Sequence, residues 1–182
     1  MPIRQSQKGL YPDNWKEIRA QILLRSVENG IAVCEKCKRP NTLTVFVFSG
    51  SANVPNGSWF IPDESGDCTI TKPDGESFFI DIDDIEPVDE DEQIGKWVKT
   101  VLTIAHLDQD PTNNHFDNLK ALCQRCHNIH DAYARTLHRK LRNEWKAIQA
   151  GESMCTLKEL CEVYGTHRIN LALRGEPGYE QG

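Results

Sequence analysis

The chain has 182 residues, 38% of them hydrophobic, and a formal net charge of −6 from 21 Lys/Arg and 27 Asp/Glu. That length suits one domain with elaborations. No apolar run approaches the roughly 20 residues a membrane span needs, and the opening MPIRQSQKGLYPDNW lacks the apolar stretch of a secretory signal. The expected setting is the cytoplasm, where the seven cysteines act as metal ligands or buried thiols rather than as disulfides.

Residues 13–29 predict a helix. Asn14 is its expected N-cap, with Glu17 three residues on. Trp15, Ile18 and Ile22 share one helical face, and Asn29-Gly30 is read as the stop. A knuckle-like turn with the first cysteine pair follows and ends at Pro40. Residues 43–85 predict strands: TVFVF, SWFI, CTIT and SFFIDI are β-branched and aromatic runs, broken by Pro-Asn-Gly, Glu-Ser-Gly and Pro-Asp-Gly. Residues 97–104 predict one further strand that ends at Ala105-His106. A polar loop, LDQDPTNNHFD, leads to a short strand around Asn118-Leu119. The second cysteine pair then opens a long helix over about 124–149, with Ile129, Tyr133, Leu137, Leu141, Trp145 and Ile148 spaced by threes and fours. Residues 156–174 predict two short helices around Gly165. They superficially resemble a helix-turn-helix, and the favoured reading is a packing appendage.

Charge is distributed unevenly. Residues 44–99 carry 13 Asp/Glu against 3 Lys, a net of −10, and the remainder carries 18 Lys/Arg against 14 Asp/Glu, a net of +4. Eight acidic side chains fall within residues 81–92. Such a run is expected to be a solvated loop or linker, with docking of a basic partner as the sharper alternative. Arg135, Arg139, Lys140 and Arg142 give the long helix a positive face able to meet DNA despite the acidic total. The expected organisation is an N-terminal helix with the first cysteine pair (1–43), a β-rich acidic insertion (44–96), a core with the second pair (97–150) and a helical C-terminal appendage (151–182).

Four cysteines form two pairs, Cys34-x-x-Cys37 and Cys123-x-x-Cys126, while Cys68, Cys155 and Cys161 show no pairing. A Cys-x-x-Cys turn sets two sulfurs at the right separation for one tetrahedral zinc, and two such turns close its coordination shell. The 85 residues between Cys37 and Cys123 are no obstacle, because loop-closure cost grows slowly with length. A redox pair would sit on a βαβ unit, which the pattern lacks. The expected site is therefore structural zinc.

The continuous stretch LTIAHLDQDPTNNHFDNLKALCQRCHNIHD, together with YPDNWKEI and CEKC upstream, resembles the HNH endonucleases of the zinc-stapled bacterial and phage type. The resemblance covers residues 11–40 and 97–140. It implies an α+β fold with a ββα-metal core that grips one divalent cation, Mg²⁺ or Mn²⁺, beside the zinc staple. It also implies metal-assisted hydrolysis of DNA phosphodiester bonds. His106 would be the general base. Asn118 would orient its loop or assist the metal site. His127 would be a metal ligand on the first turn of the helix, with Asp131 four residues on and Asp108 as further candidate ligands. His130 lies one residue off that face, and His115, His138 and His167 read as surface or packing residues. Two positions depart from the family: Ala105 stands where Asp or His often precedes the base, and Gln109 stands where a second His is common. The alternative is a catalytically impaired scaffold, acting as an adaptor for DNA or for a protein partner bound through the acidic insertion or the C-terminal appendage.

Overall fold

The computed structural model describes residues 9–62, 68–88 and 93–179. The expected Glu64-Ser65-Gly66 turn and residues 89–92 of the acidic run lie outside them. The chain forms a mixed α+β structure in two compact units, one of residues 13–105 with 115–127, the other of 1–12, 106–114 and 128–182.

In the first unit, helix α1 (Trp15–Arg25) buries Ile22 completely and packs Trp15 and Ile18 against a core that includes all four paired cysteines. The helix stops at Ser26, whose N–H donates to Ile22 O and Leu23 O, four residues short of the expected stop. Asn29-Gly30 instead turns a hairpin between β1 (Val27–Glu28) and β2 (Ile31–Ala32). Both turn residues have positive φ, 50° and 82°. That is the conformation an Asn-Gly pair adopts at the centre of a two-residue hairpin, so the same two letters serve a different element.

Strands β3 (Thr44–Phe48), β4 (Trp59–Phe60), β5 (Cys68–Thr71), β6 (Ser77–Ile80) and β7 (Gly95–Lys99) form one sheet in the order β6-β5-β4-β3-β7. All its pairings are antiparallel, with Phe46 opposite Phe60 and Trp97. Alternation sorts the side chains by face. Phe48, Phe60, Cys68 and Ile70 are buried together on one cluster, while Val45, Val47 and Trp59 form another. Gly95 is required where it stands, since a Cβ there would lie 2.3 Å from Val47 O.

The strand expected over 97–104 is two strands. Thr100 N–H donates to Leu43 O, Thr42 N–H donates to Thr100 O, and Leu102 N–H donates to Asn41 Oδ1. These bonds hold the chain at Thr100-Val101 between β7 and β8 (Leu102–His106). β8 pairs instead with β9 (Leu119–Cys123) in a separate two-stranded sheet. The expected boundary at 96/97 accordingly falls inside β7. Helix α2 (Gln124–Ala150) follows β9 without a break, and Gly151 ends it at φ +72°.

In the second unit, α2 packs against α3 (Leu157–Tyr164) and α4 (Thr166–Leu173). Leu137, Leu141, Trp145, Leu160, Ile169, Ala172 and Leu173 form its core. The fully enclosed Leu141, Ile169 and Leu173 each contribute about 1.5–3 kcal/mol by leaving water. Thr156 caps α3 with a reciprocal pair of bonds to Glu159. One expectation fails here: Ile129 and Tyr133, the first members of the apolar stripe on α2, are exposed. No helical residue of the C-terminal segment covers those two turns within the buried cluster. Among the described residues, no helix is long and apolar enough to cross a membrane.

Candidate functional site

The two cysteine turns meet because backbone groups bind them edge to edge. Glu35 N–H donates to Ala121 O, and Ala121 N–H donates back to the Glu35 carboxylate at 2.8 Å. Arg25 reinforces the join, reaching Glu35, Leu119 O and Phe116 O. The first turn is closed by Lys38 N–H to Cys34 O and by Cys34 N–H to Arg39 O, and Trp59 Nε1–H donates to Cys37 O at 2.8 Å.

Cys34, Cys37, Cys123 and Cys126 are buried, with their sulfurs within 4.8 Å of one another. Among the described residues they form the one group of three or more such donors. Cys37 Sγ and Cys123 Sγ lie 3.6 Å apart. This is far beyond a disulfide of about 2.05 Å and close to the edge of about 3.8 Å for a tetrahedron built on metal–sulfur bonds of ~2.3 Å. Cys123 N–H donates to Cys34 Sγ at 3.3 Å. Shared S–H···S bonds pull the Cys34 thiol below its ordinary range, chiefly through Cys123, and Cys123 down to about 7, chiefly through Cys126. The same bonds push Cys37 and Cys126 up. Two guanidinium groups accompany the turns. Arg39 is 4% exposed, donates to Gly57 O at 2.8 Å, and leaves its Nε without a partner among the described residues. Arg125 donates to Asn56 O, and its guanidinium fills the space a Cβ on Gly57 would need. The four residues fit a structural metal such as zinc.

The expected catalytic residues fall on three elements. His106 is the last residue of β8, and its Nε2 lies 3.1 Å from Asn114 Oδ1. Asn114 points its amide nitrogen at Pro111 O and Thr112 O. Both are acceptors only, so the oxygen faces His106 and must receive a proton from Nε2. The neutral ring then carries its lone pair on Nδ1. The Tyr11 ring stands edge-on to the imidazole at 5.9 Å, and burial pushes the Tyr11 hydroxyl up from its ordinary range.

His127 is the fourth residue of α2, and its Nδ1 lies 2.6 Å from Thr103 Oγ1. The same hydroxyl faces Leu122 O at 3.3 Å. With its single proton directed at that carbonyl, the hydroxyl accepts Nδ1–H, and the His127 lone pair resides on Nε2. Asp131 Oδ1 accepts from Gln109 Nε2 at 3.2 Å, so the position where a second histidine was expected is occupied by a side chain that steadies a carboxylate. Asp108, a further candidate ligand, lies within the loop that follows β8. One of its oxygens accepts Asp110 N–H and the other accepts Asn113 Nδ2–H, which organises the loop from within. Asn118 ends the 3-10 turn Phe116–Asn118 and donates its N–H to His115 O.

Of the expected DNA-binding cations, Lys140 donates to Tyr164 OH at 3.0 Å and stands over that ring, and Arg142 reaches Ala172 O and Glu176. Both tie α2 to the C-terminal helices. Arg135 folds back on Asn128, and Arg139 is exposed. Sequence reasoning missed Asn114 and Thr103. Asn114 sits beside Asn113 in a polar loop, and nothing in the spacing distinguishes the two. No family model, curated protein or solved structure matches the chain.

Proposed function

We propose that the chain is a divalent-metal-dependent endonuclease of the HNH type, hydrolysing DNA phosphodiester bonds on a strand-strand-helix core formed by β8, β9 and α2, with zinc on the four cysteines. The observation that carries the reading is the tautomer imposed on His106 by Asn114. A general base needs a lone pair held in a fixed direction, and the bond to Asn114 fixes the ring by its Nε2–H. In the proposed reaction His106 Nδ1 takes a proton from water. The water oxygen bonds to phosphorus, and the phosphorus–O3′ bond breaks. His127, through Nε2, would be a ligand of a magnesium or manganese ion, which would supply charge stabilisation at the phosphate and the leaving oxygen. Thr103 supports this as the group that fixes the His127 tautomer.

Plasmid incubated with Mg²⁺ or Mn²⁺ is the test. The native chain is expected to nick it, and His106→Ala is expected to lose about 10²–10⁴-fold in rate. Equal nicking by both proteins would remove the assignment. A second reading, a scaffold that binds without cutting, draws on Ala105 and on the engagement of both Asp108 oxygens within their own loop. It expects DNA binding with no nicking in either metal.

A further inference from the structure

Helix α2 carries an apolar stripe that is only partly used. From Leu137 onward it is covered by Leu160, Ile169 and Leu173. One turn earlier, Tyr133 is 73% exposed. Beside it a cavity of about 410 Å³ opens between α2, α4 and the loop Leu107–Gln109, within the roughly 300–1,000 Å³ of sites that enclose small organic ligands. Tyr133, Leu137 and Leu171 give it apolar walls, and His167 and Arg168 stand on its border. Among the described residues, neither of these two makes a side-chain hydrogen bond or an ion pair. The histidines around the cavity and Asp108 form no metal-donor group, so a cation is not the ligand this chemistry selects. An uncovered aromatic face next to an unneutralised guanidinium selects a flat ring that carries an anion. The cavity also begins beside the proposed base: Leu107 follows His106 directly, and His130, another lining residue, bonds through Nε2 to His106 O at 3.3 Å.

We infer that this cavity receives one unpaired nucleotide of the nucleic-acid substrate, its base stacked on Tyr133 and its phosphate held by Arg168. The identity of the strand rests on the nuclease reading; the binding chemistry does not. The site would make the protein prefer strands with a frayed, nicked or flipped position over continuous duplex, because an unpaired base has a free face to stack.

The experiment measures fluorescence anisotropy of a labelled single-stranded thymidine octamer, without added divalent cation, using the full chain carrying His106→Ala so that nothing is cut. Tyr133→Ala is expected to weaken binding about tenfold or more, and Tyr133→Phe to retain it. Arg168→Gln is expected to reduce the slope of log affinity against log salt by about 0.7, the loss of one single-strand phosphate contact. Tyr133 and Arg168 are exposed, so neither change threatens the fold. Unchanged binding in Tyr133→Ala, equal competition by the matching duplex, or no binding by the parent would each overturn the inference. Plasmid nicking separates the two readings. If the native chain nicks but the octamer binds indifferently, the cavity assignment fails alone. If the octamer shows the expected pattern while the native chain never nicks, the nuclease reading fails alone.

Discussion

Cys123→Ser removes one corner of the sulfur cluster, and its cost follows from what the cluster holds together. The cysteines come from segments 85 residues apart. Apart from the Glu35–Ala121 bonds and the Arg25 contacts, the apolar partners there are few: Ile22, Leu102, Leu119 and Leu122 are the large ones in the buried cluster. At about 1.5–3 kcal/mol each, they are small against the conformational entropy of ordering the chain. A structural zinc contributes an apparent ~10–16 kcal/mol in small zinc-binding peptides at neutral pH, as large as the ~5–15 kcal/mol by which a whole domain is stable. The variant is therefore expected to hold well under one equivalent of zinc and to lose the cooperative unfolding transition of the unit formed by residues 13–105 and 115–127. The assay pairs two measurements: metal released to a chromogenic chelator after the thiols are blocked, and thermal unfolding followed by circular dichroism. The native chain should release one equivalent and melt far lower after stripping. Protons compete with the cation for the sulfurs, so retention is expected at and above neutral pH and is lost as pH falls. A native protein purified without metal, whose melting ignores a strong chelator, would refute the reasoning.

Three further outcomes test the geometry. Asn114→Leu removes the acceptor that fixes His106 Nε2–H and is expected to slow nicking, whereas Asn114→Asp keeps an acceptor there and is expected to retain it, with thermal unfolding unchanged in both; equal nicking by Asn114→Leu would detach Asn114 from the chemistry. Thr103→Val leaves His127 Nδ1 without its hydroxyl, and the Mn²⁺ concentration for half-maximal nicking is expected to rise about 10–100-fold; an unchanged value would detach Thr103 from the metal. Thr156→Ala breaks the reciprocal cap on α3 and should cost about 1 kcal/mol, a fall of roughly 2–4 °C in melting midpoint, with zinc content unaffected.

The sequence was most legible where a local pattern has one physical solution. Paired Cys-x-x-Cys turns predicted a four-sulfur cluster, and the sulfurs do converge. The helices 157–164 and 166–173 stand on either side of Gly165 as their pattern required. It was least legible where one local signal serves two structures. Asn-Gly stops a helix or turns a hairpin, and only the pairing of Val27 with Ala32 decides. The run from Trp97 to Ile104 looks continuous because β-branched residues suit either sheet. Its break is set by side-chain and backbone bonds to Asn41, Thr42 and Leu43, more than 50 residues earlier. The site shows the same division. The resemblance nominated His106 and His127, but the proton position on each ring belongs to partners whose letters carry no signal of their own. Asn114 and Thr103 each act on a ring through the direction of a single hydrogen bond, and direction is a property of the folded chain. Substitutions at those two partners should therefore change chemistry while leaving stability nearly intact, whereas substitutions at the cysteines should do the reverse order of damage, removing the fold first and activity as its consequence.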